Sequence, residues 1–420
     1  MNELRATSRG RDNTPARHRR ALLTVGVVAA LVTAVAGCGA DGGDSAGGEQ
    51  VSGGKLAAGT YTFGYVTEET GTLAFAGKPA LSGAQLAFKQ ASDSGELGEG
   101  VKLELLTEDS AGDQAKAIAA VDRLVANQKV LGLLCCTSST VTGAIMPIVD
   151  RREVPTSITS AVLPSATHGA AMYRVKPQLA DFYSAILPPA QSAFAPKTAV
   201  VTRTTDNDGM AQTADGLTEK LKQSGVTVTV VDLLSTDKDM SGLATQIIQV
   251  NPDVVFHAEL ASTMALSIRE LVDRGYTKPQ FGTDAMGSQA TFEAAGPAAV
   301  GVPFPITYFP DSDDQATKDF VAAAASLGSP PPVFAAEGYS AARLLIEGLK
   351  KAAEQVGDGD LDRKALAAGL DAVETLTVPL GTITLNDQHQ GAVEKPFLLQ
   401  FDPAGKLVEW DGTAAGRLKP

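Results

Sequence analysis

Hydroxyl side chains occupy four consecutive positions, 137–140, and the first three, those of Thr137, Ser138 and Ser139, are the residues of this sequence best suited to binding a polar group. They lie between a buried apolar strand and a helix that the apolar spacing predicts over 140–149. The amino end of a helix presents backbone N–H groups without partners and a partial positive charge. Hydroxyls and amides that meet there predict a site for an anionic group. Plain N-capping of the helix, with no ligand, is the alternative.

Two adjacent cysteines, Cys135 and Cys136, precede this turn, and the only other cysteine is Cys38. We expect two buried thiols at the pair. A vicinal disulfide and the binding of a soft metal are the alternatives.

The motifs of enzymes and cofactor-binding proteins do not fit this sequence. The histidines after the first forty residues, His168, His257 and His389, have neither metal-ligand spacing nor a neighbouring nucleophile pattern. The glycines of 95–100 stand in the wrong register for a dinucleotide fingerprint. We therefore expect no enzymatic activity, no catalytic residue, no cofactor and no bound metal.

Composition places the chain among soluble globular proteins. Its 420 residues are 44% hydrophobic and 20% charged, which is enough to build a full core without help from disulfides or metals. Lysine and arginine number 35 against 48 aspartates and glutamates, a net charge of -13. This excess of acid argues against nucleic acid as a partner.

The first forty residues have the layout of an export signal. Six arginines in the first twenty residues precede an uncharged run over 21–37, which ends in Val35-Ala36-Gly37-Cys38. This ending resembles the lipobox of bacterial lipoproteins, and it predicts a signal peptide over 1–37, lipidation of Cys38 and an extracytoplasmic, membrane-anchored protein. An uncleaved anchor helix is the alternative, and the choice between general and twin-arginine export stays open. Residues 38–55 predict a flexible tether.

The body of the chain alternates apolar strands with amphipathic helices. One series runs from the strand 60–66 to the strand 130–134, and a second runs from 198–202 to 281–284. Two series of this kind predict an α/β protein with two doubly wound parallel-sheet lobes. Small ligands bind such folds at the carboxyl ends of the strands, so we expect the site between the lobes.

The sequence resembles the type I periplasmic substrate-binding proteins, in particular the leucine/isoleucine/valine-binding group of ABC transporters. The markers are short motifs in a fixed order: Thr70-Gly71-Thr72-Leu73-Ala74, Gly77, Gly83, Asp109, 136–140, 154–158, 206–209 and 282–284. The resemblance implies a three-crossing hinge, with 56–176 and 308–392 in lobe one and 177–307 and 393–413 in lobe two.

The same resemblance assigns roles in the cleft. The turn 137–139 would hold the carboxylate of the ligand, with Thr137 at the position of the first hydroxyl. Asp284, which follows a predicted strand, would pair with the ligand ammonium, and a dry cleft would strengthen that pair. An ordinary aspartate in a strand-to-helix turn is the alternative for Asp284.

Several positions depart from the family pattern. Val162 stands where relatives carry a hydroxyl, so that only Ser160 could replace it, and Asp208 precedes glycine where relatives carry an aromatic residue. Asp208 and Glu259 would favour a polar or cationic ligand if they face the cleft, but a solvated surface acid is the favoured interpretation of each. Phe75 would contact the ligand or pack in the core.

These features predict a lipid-anchored binding protein that delivers an amino acid or a related small polar solute, such as an amide, to an ABC permease. A surface sensor read by a signalling receptor is one alternative. An exported enzyme that uses the same cleft is a second.

Overall fold

The computed structural model of the protein describes residues 55–127, 129–328, 330–357 and 361–414. The predicted signal peptide (1–37) and Cys38 lie outside the described residues, and so does the predicted tether apart from Lys55. Within the ranges that are described, no helix is long and apolar enough to cross a membrane.

The first lobe is built around a five-stranded parallel sheet. Its strands and the helices between them are β1 (Gly59–Thr67), α1 (Ala74–Ser94), β2 (Val101–Asp109), α2 (Gln114–Ala126), β3 (Val130–Cys135), α3 (Ser139–Arg151), β4 (Thr156–Ile158), a short 3₁₀ helix (Pro164–Thr167) and β5 (Met172–Arg174). The strand order is β2-β1-β3-β4-β5. Every residue of β3 is buried, as expected for an apolar strand that is covered on both faces.

The second lobe is built around a four-stranded parallel sheet. Its elements are α4 (Leu179–Phe194), β6 (Thr198–Thr204), α5 (Asp208–Gln223), β7 (Thr227–Leu233), α6 (Ser241–Val250), β8 (Val254–Ala258), α7 (Ala261–Asp273), β9 (Gln280–Phe281), 3₁₀ helices Asp284–Gly287 and Gly296–Ala299 with α8 (Gln289–Ala295) between them, and β10 (Phe304–Ile306). The parallel order is β7-β6-β8-β9. The two predicted sheets are thereby confirmed.

The last third of the chain returns to the first lobe and then ends on the second. Its elements are α9 (Gln315–Ala323), a 3₁₀ turn (Ala325–Leu327), α10 (Val333–Val356), α11 (Arg363–Asp371), β11 (Thr375–Val378), β12 (Gly381–Leu385), β13 (Gly391–Ala392), β14 (Phe397–Phe401) and β15 (Leu407–Glu409). Two small antiparallel sheets, β11-β12-β13 and β10-β14-β15, were not predicted as sheets. The residue at which each crossing between the lobes occurs stays a prediction.

Glycines allow α1 and α10 to pack with their backbones in direct contact. A Cβ at Gly83 would collide with the carbonyl of Ala335, and a Cβ at Gly338 would collide with the carbonyl of Ala80. Any larger side chain would push the helices apart and open a void in the core. This close approach fixes the position of Glu337, the buried acid next to Gly338.

Candidate functional site

The two lobes meet at the amino ends of α3 and α5. Asn207 caps α5 by accepting a hydrogen bond from the backbone N–H of Met210 at 3.0 Å. Gly209, in the first turn of α5, lies so close to Ser139 and Val162 that a Cβ there would collide with both. The side chains of Val162 and Met210 belong to one buried apolar cluster. The lobes are therefore closed along this seam.

Two of the three hydroxyls in the turn 137–139 are used within the chain. Ser138 Oγ accepts from the Val141 N–H at 3.2 Å and caps α3. Ser139 Oγ accepts from the Val162 N–H at 3.1 Å. The Thr137 hydroxyl oxygen is buried and has no hydrogen-bond partner among the described residues. A ligand role for each of the three stays a prediction.

The carboxylate of Glu68 binds the free amides of this turn. The N–H of Thr137 donates to Glu68 Oε2 at 2.9 Å, and the N–H of Ser138 donates to Glu68 Oε1 at 3.2 Å. Glu68 is fully buried, and its burial raises the pKa to about 7, although the two amide hydrogen bonds partly offset the rise. The anion site predicted from the sequence thus holds a carboxylate of the chain itself.

Lys176 lies between two buried acids. Its ammonium forms an ion pair with Asp284, at the start of the 3₁₀ helix Asp284–Gly287, and a second with Glu337 Oε1 at 2.8 Å. Burial by itself would lower the pKa of Lys176, but the charges of Asp284 and Glu337 outweigh it and raise the pKa. Asp284 therefore has a cation of the chain as its partner, and its pairing with a ligand ammonium stays a prediction.

Four buried polar atoms beside these charges have no hydrogen-bond partner among the described residues. They are Tyr65 Oη, Thr137 Oγ1, Ser160 Oγ and Glu337 Oε2. Burial raises the pKa of Tyr65, the neighbouring Thr159 hydroxyl offsets part of the rise, and the charges of Glu68 and Glu337 add to it. Burial also raises the pKa of Glu337, and the neighbouring Ser160 hydroxyl lowers it in part. We call Tyr65, Glu68, Thr137, Ser160, Lys176, Asp284 and Glu337 the buried polar cluster.

A buried arginine holds the loop that carries Ser160. Arg174 Nη1 donates to the carbonyl oxygens of Ala161 at 3.2 Å and Leu163 at 2.8 Å, and its Nε donates to Gln390 Oε1 at 2.7 Å. Gln390 is the residue directly before β13, so the arginine connects the loop 161–163 with a segment that is distant along the chain. Ser160 and Val162 are positioned by these contacts.

Three further candidate residues lie in different environments. Phe75 is half-buried and packs edge-to-face on Phe334, with the ring centroids 5.6 Å apart, which agrees with the core-packing alternative. Asp208 is exposed at the start of α5, as the surface-acid interpretation holds. For Glu259 that interpretation is wrong, because the residue is fully buried and bonds His257 Nδ1 at 2.9 Å and Ser267 Oγ at 2.7 Å.

Phe75 also lines a cavity between the lobes. The cavity has a volume of about 380 Å³, and its wall includes Pro79 of α1, Gly287 and Ser288 of the second lobe, and Tyr308. The Tyr308 hydroxyl is buried and has no hydrogen-bond partner in the described part of the chain. Most of this wall is apolar, so the cavity can hold the carbon skeleton of a ligand rather than its charges.

The cysteine pair brings its two sulfur atoms together. Cys135 and Cys136 lie side by side in the structure with their Sγ atoms in contact, and the choice between two thiols and a vicinal disulfide stays a prediction. Both residues are fully buried at the end of β3, as expected. In the described residues no group of three or more potential metal ligands comes together.

Sequence reasoning missed Glu68, Lys176 and Glu337. Glu337 is an acid within the apolar stripe of α10, and a charge among buried positions of a helix is a recognisable signal. Lys176 stands at the predicted first crossing between the lobes, and Glu68 follows the first strand closely. A search for charges next to the hydroxyl turn could not have found them, because their partners are distant in sequence.

Comparison with known proteins agrees with this architecture. A model of the periplasmic binding protein family matches residues 60–406. A curated relative, Leu/Ile/Val-binding protein homolog 1 of Brucella abortus, is 28% identical over 156 residues, which are 37% of this chain and 40% of the relative. The aligned part thus spans less than half the length of that relative.

Solved structures of solute-binding proteins share the fold. A leucine-binding protein from Thermotoga maritima superposes with a TM-score of 0.75 at 21% identity, covering 83% of this chain and 97% of the other. The substrate-binding protein LivJ from Streptococcus pneumoniae, in complex with isoleucine, has a TM-score of 0.73 at 19% identity, covering 86% and 100%. A solute-binding protein from R. palustris, in complex with benzoate, has a TM-score of 0.74 at 23% identity, covering 86% and 98%.

Proposed function

Because this chain belongs to the periplasmic binding protein family, we propose that it is the solute-binding component of an ABC importer. It captures a small polar solute by closing its two lobes. The observation that supports this most is the buried polar cluster, in which hydroxyls and charges of the first lobe meet Asp284 of the second at a closed seam. Unpartnered polar atoms are costly to bury, so their concentration at one seam favours a ligand site.

The proposed mechanism is a change in population between open and closed lobes. A solute that contacts residues of both lobes binds the closed form more tightly than the open form, and it shifts the equilibrium toward closure. The permease then distinguishes the closed shape from the open one. Binding and release require no covalent step, so this chain acts as a receptor and not as an enzyme.

The candidate site residues fall into two groups. Thr137, Ser138, Ser139, Ser160 and Asp284 adjoin the seam or the buried polar cluster, and they remain our proposed ligand contacts. Phe75 would contribute through the interlobe cavity. Asp208 and Glu259 are weaker candidates, because one is exposed and the other is bonded within the second lobe.

The solute class is suggested by the relatives. One named structural neighbour is a leucine-binding protein, and two others are in complex with isoleucine and with benzoate. All three compounds are small organic molecules with a polar end and an apolar body. We propose that this chain takes a solute of similar size.

Attachment to the membrane would follow from lipidation of Cys38. The lipobox-like run 35–38 supports this part of the proposal, and it would place the folded body outside the cytoplasm. In a host that processes lipoproteins, the wild-type chain should partition into the detergent phase, and Cys38→Ser should move it to the aqueous phase. An unchanged partition would contradict the anchor while leaving the binding function untouched.

The binding function is tested by a thermal-shift screen of the full chain, followed by small-angle scattering. The panel comprises amino acids, amides, polyamines and sugars. We expect at least one class to raise the melting temperature in a concentration-dependent way. The same solute should reduce the radius of gyration or hold it at the closed value. Absence of stabilisation by every class would contradict the proposal.

A further inference from the structure

The chain itself supplies both charges that an α-amino acid would bring to the cleft. We infer that the cleft selects an uncharged solute of the carboxamide or urea type and rejects amino-acid zwitterions, with Glu68 and Lys176 as the specificity-determining residues. This inference rests on the proposed function and narrows it to one class of substrate. It follows from three features of the buried polar cluster.

The first feature is that Glu68 already takes the donors suited to a ligand carboxylate. Each of its oxygens accepts one backbone N–H, from Thr137 at 2.9 Å and from Ser138 at 3.2 Å. A second carboxylate at this point would lack those amides and would face the Glu68 oxygens. Burying a carboxylate without donors, beside another acid, is strongly unfavourable.

The second feature is that Lys176 already takes the acids suited to a ligand ammonium. Its Nζ pairs with Asp284 and with Glu337 Oε1, and all three side chains are less than a tenth exposed. A ligand ammonium would have to share these acids with a buried cation of the same charge. The chain offers no second pair of acids in the cluster for it.

The third feature is the set of polar atoms that remains. Tyr65, Thr137 and Ser160 each carry a hydroxyl that forms no direct hydrogen bond among the described residues, and Glu337 Oε2 is an acceptor in the same position. Thr137 and Ser160 are near enough to Glu68 and Glu337 to lower the pKa of each carboxyl in part, so a ligand would compete with these contacts. Hydroxyl donors suit a carbonyl oxygen, and a carboxylate oxygen suits an N–H. A carboxamide or a urea presents both groups on adjacent atoms and carries no charge.

The balance of charge excludes simple anions as well. The cluster contains three carboxyl groups, on Glu68, Asp284 and Glu337, but only one ammonium. An anionic solute would therefore enter a site without surplus positive charge. A neutral solute leaves the existing ion pairs intact and completes the hydrogen bonds of the unpartnered atoms.

The test is isothermal titration calorimetry of the full chain with solutes that are matched in skeleton. Three pairs serve as probes: acetamide with acetate, isobutyramide with isobutyrate, and benzamide with benzoate. Urea and valine complete the set. We expect an amide or urea to bind, and every carboxylate partner and valine to bind at least tenfold more weakly.

A variant tests the role of Glu68 directly. Glu68→Ala frees the amides of Thr137 and Ser138, so it should raise the affinity for the carboxylate of the best-bound pair at least tenfold. Glu69→Ala, in the same loop but without contact to these amides, is the matched control and should leave the preference unchanged. Glu68→Gln, which keeps the shape of the side chain, should give a smaller gain and serves if the alanine variant does not fold.

The outcomes separate this inference from the proposed function. Valine or a carboxylate that binds the wild-type chain as tightly as its amide partner would overturn the inference and support solute capture. Unchanged carboxylate affinity in both Glu68 variants would overturn the role of Glu68. Failure of every solute class to bind the wild-type chain would overturn the proposed function, and the inference with it.

Discussion

Two buried polar regions of this protein differ in how completely their groups are partnered. In the second lobe, His257 Nδ1 lies 2.9 Å from Glu259, His257 Nε2 lies 2.9 Å from Gln280 Oε1, and Ser267 donates to Glu259. Each of these side chains has a partner inside one lobe. The buried polar cluster between the lobes has strong ion pairs but keeps four polar atoms without partners.

The difference separates structural from functional polarity. A fully bonded buried network stabilises one arrangement of a lobe and has nothing left to offer a solute. A cluster with unpartnered hydroxyls and a carboxylate oxygen loses free energy in the absence of a ligand and regains it on binding. We therefore expect mutations in the two regions to separate stability from binding.

The largest effect is expected for Lys176→Met. The substitution leaves Asp284 and Glu337 buried without their cation, which should lower the free energy of unfolding by about 4 kcal/mol at pH 8. The loss should shrink at pH 5, because burial raises the pKa of Glu337, and without its cation this carboxyl takes up a proton in the folded state. Urea denaturation followed by the fluorescence of Trp410, the single tryptophan, measures both values.

The exposed residue Lys78 provides a matched control for this measurement. Lys78→Met should change the free energy of unfolding by less than about 0.5 kcal/mol. An equally small effect of Lys176→Met would show that the ion pairs of the cluster do not stabilise the closed lobes.

Glu259→Ala is expected to lower the free energy of unfolding by about 3 kcal/mol, because it leaves the buried His257 Nδ1 without its partner and removes one of the two acceptors of the Ser267 hydroxyl. Solute affinity should stay at the wild-type value under conditions where the variant is folded. Glu293→Ala, at an exposed position, is the control and should change neither quantity. Weakened binding by folded Glu259→Ala would place this residue in the ligand site and remove the contrast between the two regions.

The difference in the free energy of unfolding between the wild type and Glu68→Gln is expected to depend on pH. The pKa of Glu68 is about 7 in the folded chain, above its ordinary value of 4.5, so the folded state binds more protons than the unfolded state between these values. Stability from this group is greatest at low pH and falls as the pH rises through 7. The free energy of unfolding of the wild type, relative to Glu68→Gln, should therefore fall by about 2 to 3 kcal/mol between pH 5 and pH 8.

Other groups that act on Glu68 are present in both proteins and cancel in that comparison, including the nearby acid Asp109. Parallel denaturation at several pH values gives the difference directly. A constant difference across the range would mean that Glu68 does not take up a proton near neutrality.

The smallest effect on stability is expected for Thr137→Val. The hydroxyl forms no direct hydrogen bond among the described residues and only lowers the pKa of Glu68 in part, so its removal should change the free energy of unfolding by less than about 0.5 kcal/mol, while solute affinity falls about tenfold. Ser138→Ala, in contrast, should lower the free energy of unfolding by about 1 kcal/mol, because Ser138 caps α3. Calorimetric titration and denaturation of the two variants side by side would show whether neighbouring hydroxyls have separate roles.

Much of the fold was predictable because its signals are local. The apolar patterns over 60–66 and 198–202 predicted β1 and β6, and the alternation of strands with amphipathic helices predicted the two parallel sheets. β10 and β15 were not predicted, because strands of three residues carry too little pattern and form only where the returning chain meets them.

The candidate site was predictable only in part. The hydroxyl turn could be located because strand, turn and helix follow one another in the sequence. Its partner Glu68 could not, since it lies 69 residues from Thr137, and the choice between an internal and an external carboxylate depends on packing. The buried state of Glu259 was likewise misjudged, because its partners His257 and Ser267 converge only when β8 and α7 pack together.

The sequence by itself determined the order of strands and helices, the acidic charge and the presence of a polar turn at a helix amino end. These depend on periodicity, composition and neighbouring residues. Only the tertiary structure decided which charges meet: Glu68 with the amides of 137–138, and Lys176 with Asp284 and Glu337. Such pairings form between segments that are distant along the chain, and they are set by how sheets and helices close around a common seam, where desolvation makes each unpaired charge costly.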